Sequence, residues 1–293
     1  MSYQHIENLY RPEAQRILEF RWVYAMEKIH GTSANLLWNA DGLHLHPGGE
    51  GMERFSALFG SLLPPVGDIT QKLQELFSLG PVSIYGEAYG GKCQGMRKTY
   101  GDQLRFIAFE VQVAGCWLAV PQAENVCQKL GIPFVWYDKV ATDVPTLDGV
   151  RDRPSEQAKR NGITEERHME GIVLRPPFEV TLNNGSRLLA KHKRAEFSER
   201  ETIPDVDPTT RQMLENAEAI ADEFVTEMRL THVLDKLQAP MDFKSIPLVI
   251  AAMKEDVCRE ASGEIVESKD VLRAIGGKTV KLYKARIVAM PNT

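Results

Sequence analysis

Trp22-Val23-Tyr24-Ala25-Met26-Glu27-Lys28-Ile29-His30-Gly31-Thr32 joins an apolar segment to a turn glycine, and a single lysine stands where the two meet. Strand alternation places Tyr24, Met26, Lys28 and His30 on one face, so the lysine projects into whatever that face lines. Read alone, the stretch fits a lysine that snorkels into solvent from a strand end, and it also fits a lysine nucleophile. The rest of the chain has to decide between them.

The 293 residues favour two domains over one, and the apolar and charged fractions are those of a globular protein. No apolar run reaches membrane-span length, and Met1-Ser2-Tyr3-Gln4-His5 has no signal-peptide pattern, so a cytoplasmic protein without membrane attachment is expected, and a monomer is taken as the starting expectation. Cys93, Cys116, Cys127 and Cys258 are scattered and suggest neither a zinc site nor a disulfide framework. A net charge of −5 argues against indiscriminate nucleic-acid coating, so any nucleic acid must be met by a local basic groove.

Up to about residue 200, short runs rich in Val, Ile and Phe read as strands: Pro81 to Gly86, Phe106 to Val111, and Gly171 to Leu174. Arg54 to Phe59, Ile69 to Leu79 and Gln122 to Leu130 carry helical spacing, and the mixture indicates an α+β fold. Beyond Ile203-Pro204, Met213, Ala217, Ile220, Phe224 and Met228 recur at intervals of three and four, which predicts one amphipathic helix opened by Asp207-Pro208. Ser245 is expected to cap a second helix that runs toward Gly263, and a third starts near Ser268. The expected domains are therefore 1–202 and an all-helical 203–293.

Leu188 to Arg194 reads as a strand with Lys191 and Lys193 on one face, tolerable when an anion such as a triphosphate lies between them. Met169-Glu170-Gly171-Ile172 puts a carboxylate on an apolar strand face, where it needs a cation or metal. Tyr85-Gly86-Glu87 and Phe106 to Glu110 repeat the theme. Together with Lys28 these groups describe a site for a divalent cation and a nucleotide. Mg²⁺ prefers carboxylates, phosphate oxygens and water, a setting that suits attack of a lysine on an α-phosphate.

In order, Glu27-Lys28-Ile29-His30-Gly31, Tyr85-Gly86-Glu87, Phe106 to Glu110, Glu170-Gly171-Ile172-Val173 and Lys191-His192-Lys193 resemble the motif series of the covalent lysyl-nucleotidyltransferases. With histidine at His30, the series is most similar to the RNA ligase 2 family. Asn184-Gly185-Ser186-Arg187 and Glu196-Phe197-Ser198-Glu199 extend the resemblance. It implies an adenylyltransferase domain, ATP-grasp-like, of antiparallel and mixed sheets with flanking helices, followed by a small helical domain that engages duplex RNA. The implied activity is ATP-dependent sealing of RNA 3′-hydroxyl and 5′-phosphate ends at duplex nicks through lysyl-AMP, as in RNA repair, with Mg²⁺ or Mn²⁺ as cofactor.

By the same resemblance, Lys28 is the nucleophile, and Lys191 and Lys193 assist at the α-phosphate. His30 orients the phosphates, Glu87 takes the ribose hydroxyls and Phe109 stacks on adenine. Glu170 holds the metal or its waters, with Glu110 as a second metal candidate. Glu27 and Ile29 complete the nucleotide pocket, and Gln94 meets the RNA end. One departure stands out: where the family carries a basic Lys-Arg element, this chain reads Leu45-His46-Pro47-Gly48-Gly49, leaving His46 or Arg54 for the 5′-phosphate. The sequence leaves open a DNA-joining or GTP-using relative, and a degenerate protein that binds nucleotide or RNA ends without joining them.

Overall fold

In the computed structural model, which describes residues 3–78, 80–200, 216–237 and 240–289, the alternating apolar segments form two five-stranded sheets. The strands are β1 (Glu7–Asn8), β2 (Trp22–Glu27), β3 (Thr32–Asn39), β4 (Gly42–His46), β5 (Val82–Tyr89), β6 (Arg105–Val113), β7 (Cys116–Trp117), β8 (Tyr137–Ala141), β9 (Gly171–Arg175) and β10 (Ala190–Lys193). The helices interleaved with them are α1 (Pro12–Gln15), α2 (Met52–Ser56), α3 (Val66–Leu76), α4 (Arg97–Tyr100), α5 (Val120–Leu130), α6 (Val144–Arg151) and α7 (Glu156–Arg160). This α+β arrangement agrees with the class read from the sequence.

One sheet runs β1-β10-β9-β2-β8, antiparallel except for the β1–β10 pair, and the other runs β4-β3-β5-β6-β7, antiparallel throughout. Residues 28–31 carry the chain from β2 of the first sheet to β3 of the second, so the lysine sits at the crossing. Register sets the site: Met26 and Lys191 both lie opposite Val173, and Lys193 lies opposite Gly171.

Helices α3 and α5 place Ile69, Leu73, Ala123 and Cys127 in one core with Leu36, Ile84, Ile107 and Val111 of the second sheet. Each fully buried Leu or Ile there contributes about 2 kcal/mol. Gly131 ends α5 in the left-handed conformation that favours glycine. Asp143 caps α6 by accepting from the Thr146 amide, and Ser155 caps α7 by accepting from Ala158. Two expected helices are present with shifted ends: Arg54 to Phe59 overlaps α2 and Ile69 to Leu79 overlaps α3, with Leu79 itself outside the described residues.

The chain divides into two compact units, residues 1–194 and 195–293. The boundary expected near Thr202, the Asp207-Pro208 cap and Met213 lie outside the described residues. In the second unit the described helices are α8 (Ala217–Phe224), α9 (Glu227–Leu237), α10 (Ile246–Glu260) and α11 (Lys269–Val288). They bury Ile220, Phe224, Leu230, Val249, Met253, Val257, Ile275 and Tyr283 together.

The single helix expected through Met228 is in fact two. Val225 leaves helical geometry, Thr226 Oγ1 accepts from the Arg229 amide, and Arg229 Nε donates to the Phe224 carbonyl at 2.8 Å. The three- and four-residue spacing survives because both helices face the same core. Ser268 caps α11 as expected. Ser245 precedes α10 but turns its hydroxyl to Asp242 Oδ1 instead of capping.

Candidate active site

Lys28 leaves β2 with its amide donating to Gly171 O at 2.9 Å, which ties it to the start of β9. Its Nζ donates to Glu170 Oε2 at 2.9 Å, Lys193 Nζ lies 2.9 Å from Glu170 Oε1, and His30 Nδ1 lies 3.6 Å from Oε2. Three cationic or cation-forming groups thus surround one carboxylate that is 2 % exposed, while Lys28 keeps 24 % of its side chain open. Burial raises the Glu170 carboxyl, but Lys193, Lys28 and His30 together outweigh it and hold the group well below the usual carboxylate range.

Close backbone approach makes this possible. A Cβ on Gly31 would stand 2.3 Å from Ala88 O, so only glycine lets the crossing segment lie against β5. A Cβ on Gly171 would stand 2.3 Å from His192 O, in a backbone of φ +155°. From β5, Glu87 faces the cluster: its carboxylate accepts from the Gly31 amide and feels Lys28, Glu170 and Lys193. Burial pushes this carboxyl up to about 8 despite the Lys28 charge.

Of the sequence-derived candidates, Lys28, His30, Glu87, Glu170 and Lys193 are brought together. Lys191 is buried on β10, paired across from Val173 and two residues from Lys193. Ile29 belongs to the apolar core. Phe109 falls at a register shift between β5 and β6, where Tyr85 pairs with Glu110 and Gly86 with Ala108; the unpaired phenylalanine is re-aimed and packs edge-on against Tyr3 at 5.0 Å. Glu27 turns away from the cluster and accepts hydrogen bonds from Ser155 Oγ and the Gln157 amide, at 3.0 Å for the latter.

Glu110 is a correction. It is fully buried, with Arg175 Nη1 2.6 Å from Oε1 and Arg187 Nη1 3.0 Å from Oε2, and Tyr3 also donates to it. A carboxylate neutralised by two guanidinium groups and bonded by Arg187 and Tyr3 is committed to the protein and stands apart from the lysine cluster. The arginines are needed because β6 buries Glu110 completely, and the sequence, in which Glu110 and Glu170 look alike at apolar strands, could not tell them apart.

The three RNA-end candidates do not join the lysines in any described contact. Gln94 sits at φ 51° in a tight turn after β5, with Oε1 buried and no hydrogen-bond partner among the described residues. Arg54 on α2 pairs with Glu50 at 2.8 Å, and His46 ends β4, where burial lowers its pKa. The loop between them returns to the crossing segment, with the Gly49 amide donating to Thr32 Oγ1 at 2.9 Å.

Sequence reasoning missed Tyr100, whose hydroxyl accepts from the His30 amide at 3.3 Å. It also missed Ser155 and Gln157 at α7, and the arginine cage of Glu110. Only the cap pattern Ser155-Glu156-Gln157-Ala158 before α7 was visible locally; the long-range partners carry no local pattern.

Among the described residues no three His, Cys, Asp or Glu side chains gather as a metal cage. Glu170 and Glu87, facing one another's field, suit instead a hard cation that takes most of its ligands from phosphate oxygens and water. Lysines above a carboxylate are equally suited to a phosphate anion, which would share their charge.

The sequence profile of the RNA ligase family matches residues 21–193. No curated protein matches the chain. Among solved structures, an RNA ligase of Naegleria gruberi with pyrophosphate aligns at TM-score 0.48 and 15% identity, and a single-residue mutant of it with ATP and manganese at TM-score 0.49 and 15% identity. Both alignments cover 67% of this chain and 57% of the other, so the chain spans just over half the length of those ligases.

Proposed function

Because the chain belongs to the RNA ligase family, we propose that it is an ATP-dependent RNA ligase that joins 3′-hydroxyl and 5′-phosphate ends, with duplex nicks as its substrate. The observation that carries this reading is Lys28 and Lys193 held on the two oxygens of one buried carboxylate, at the crossing between the sheets.

In the first step Lys28 Nζ attacks the α-phosphorus of ATP. A nitrogen–phosphorus bond forms, the α–β oxygen bridge breaks and pyrophosphate leaves. The amine must be unprotonated to attack, and its proton passes to water, because Glu170, its pKa lowered by Lys193, Lys28 and His30, orients the amine and is a poor base. Lys191 and Lys193 offset the charge that spreads over the α-phosphate. Glu87 meets the ribose hydroxyls, and Phe109 offers its face to adenine. Glu170 and Glu87 would help hold a divalent cation, which would supply neutralisation of phosphate charge. The adenylyl group then moves from Lys28 to the RNA 5′-phosphate, breaking the nitrogen–phosphorus bond. Finally the 3′-hydroxyl oxygen attacks that phosphate and AMP departs.

α11 is the RNA-facing element in this reading, its cations interspersed with Asp270, which pairs with Arg273 at 3.2 Å. Its buried face carries Val271, Ile275, Thr279 and Tyr283, and its exposed side presents Lys269, Arg273, Lys281 and Lys284 with the bare Gly277 between them. Along the helix Lys269 and Arg273 stand about 6 Å apart and Lys281 and Lys284 about 4.5 Å, with about 12 Å between the two pairs, suited to a phosphate backbone read by shape.

Labelled ATP and Mg²⁺, followed by a denaturing gel of wild type and Lys28→Ala, tests the reading. Acid-labile label on wild type alone is expected. No label would sink the proposal, and label from GTP instead would move it to a GTP-using relative. A second reading, a protein that binds RNA ends without activating them, is favoured by the loop after His46, where Arg54 turns to Glu50. Sealing of a pre-adenylylated RNA nick without sealing of an ordinary 5′-phosphate end would select it.

A further inference from the structure

Residues 27 and 30, on either side of the nucleophile's backbone, are tied to one another by a closed run of hydrogen bonds through α7 and its C-terminal neighbour Asn161. Glu27 accepts from Ser155 Oγ and the Gln157 amide. Gln157 Nε2 donates to Tyr89 OH at 2.8 Å and to Asn161 Oδ1 at 3.0 Å. Asn161 Nδ2 donates to Tyr100 O at 2.9 Å, and Tyr100 OH accepts from the His30 amide at 3.3 Å. Glu27, Tyr89, Tyr100, Gln157 and His30 are all buried, and Ile29 is held in the apolar core.

Three residues span at most about 10 Å, so fixing positions 27 and 30 leaves the Lys28 backbone little room. The run meets the carboxylate cluster only through the His30 backbone; the cluster's ion pairs hold the lysine's tip, and at the root the Lys28 amide has its own bond to Gly171 O at 2.9 Å. An attacking amine needs both its tip and its root in place, because a displacement of about 1 Å costs roughly a hundredfold in rate.

Resting on the reading of Lys28 as nucleophile, we propose that α7 and Asn161 brace the lysine from behind, with Gln157 and Asn161 as positioning residues for lysyl-AMP formation. They touch neither nucleotide nor metal in this role. Their removal loosens the Lys28 root, which keeps its bond to Gly171 O, without changing what holds ATP, so the loss falls on the rate of the step and not on ATP affinity.

The test is single-turnover labelling of the full chain with ATP and Mg²⁺, for wild type, Asn161→Ala, Gln157→Leu and Tyr100→Phe, together with hydrogen exchange of the His30 amide. For the first two variants the rate at saturating ATP should fall at least about tenfold, with the ATP concentration for half-maximal rate changed less than about twofold. Exchange at His30 should quicken in all three. Tyr100→Phe removes a single oxygen and keeps the test alive should the other two fail to fold; its rate should fall in the same sense. Label on wild type with unchanged rates in the variants, or a loss confined to ATP affinity, overturns the brace and spares the ligase reading. No label on wild type overturns the ligase reading itself.

Discussion

Glu87 offers a quantity that can be worked through. Its carboxyl has an ordinary pKa of 4.5 in the unfolded chain and about 8 in the fold, raised chiefly by burial. Below 4.5 both states hold the proton and the group is neutral to stability. Between 4.5 and 8 the unfolded chain ionises while the fold keeps its proton, so stability falls as the pH rises, by up to about 1.4 kcal/mol per unit. Above 8 both are ionised and the loss levels off. The full window would amount to about 5 kcal/mol, but Glu87 keeps part of its surface in solvent, and screening cuts this to about 2 kcal/mol. Glu87→Gln keeps an acceptor for the Gly31 amide and does not titrate. Trp22, Trp38, Trp117 and Trp136 are all in the first unit, so tryptophan fluorescence during urea unfolding reports on that unit alone. Measured without nucleotide at pH 5.5, 6.5, 7.5 and 8.5, the variant should gain on wild type steadily, to about 2 kcal/mol at the top. A difference that stays constant over these pH values would refute the burial of this carboxyl.

Three further outcomes are expected. Glu170→Gln leaves Lys28, Lys193 and His30 around a neutral group; it should abolish lysine labelling and cost about 3 kcal/mol of urea stability, and a variant that labels normally would remove Glu170 from the site. Glu110→Gln should cost a similar amount, about 3 kcal/mol, yet leave the Mg²⁺ concentration for half-maximal labelling unchanged; a shift in that concentration would return Glu110 to the metal. Lys281→Glu with Lys284→Glu should weaken binding of nicked duplex RNA and lower the salt dependence of log Kd by about two contacts, with labelling by ATP untouched; an unchanged salt slope would take α11 out of the RNA path.

What was legible in the sequence is what strand geometry writes locally. The alternation from Trp22 to His30 expected Lys28 and His30 on one strand face; β2 ends at Glu27, and the two residues both reach Glu170 Oε2 from the crossing segment. The alternation around Gly171 likewise separated Glu170 from Arg175, which stand in different charge clusters. Helix periodicity was legible too, but not its interruptions: Arg229 closes α8 and opens α9 through bonds that spacing alone cannot display.

The limit is reached at Glu110 and Glu170. Each is a carboxylate at an apolar strand, each is buried, and each is neutralised by two cations, so burial and charge pairing do not distinguish a site from a scaffold. The chemistry of the partners does. Arg187 holds Glu110 in a planar, two-point contact, with Arg175 beside it, and guanidinium groups do not serve as proton donors in chemistry. Lysines hold Glu170 through point charges on flexible stems; they can exchange a carboxylate for a phosphate, and one of them can give up a proton and attack. On the proposed reading, the same sequence pattern yields a structural clamp in one place and an exchangeable anion site in the other. Arg175 and Arg187 against Lys28 and Lys193 are the residues that decide which is which.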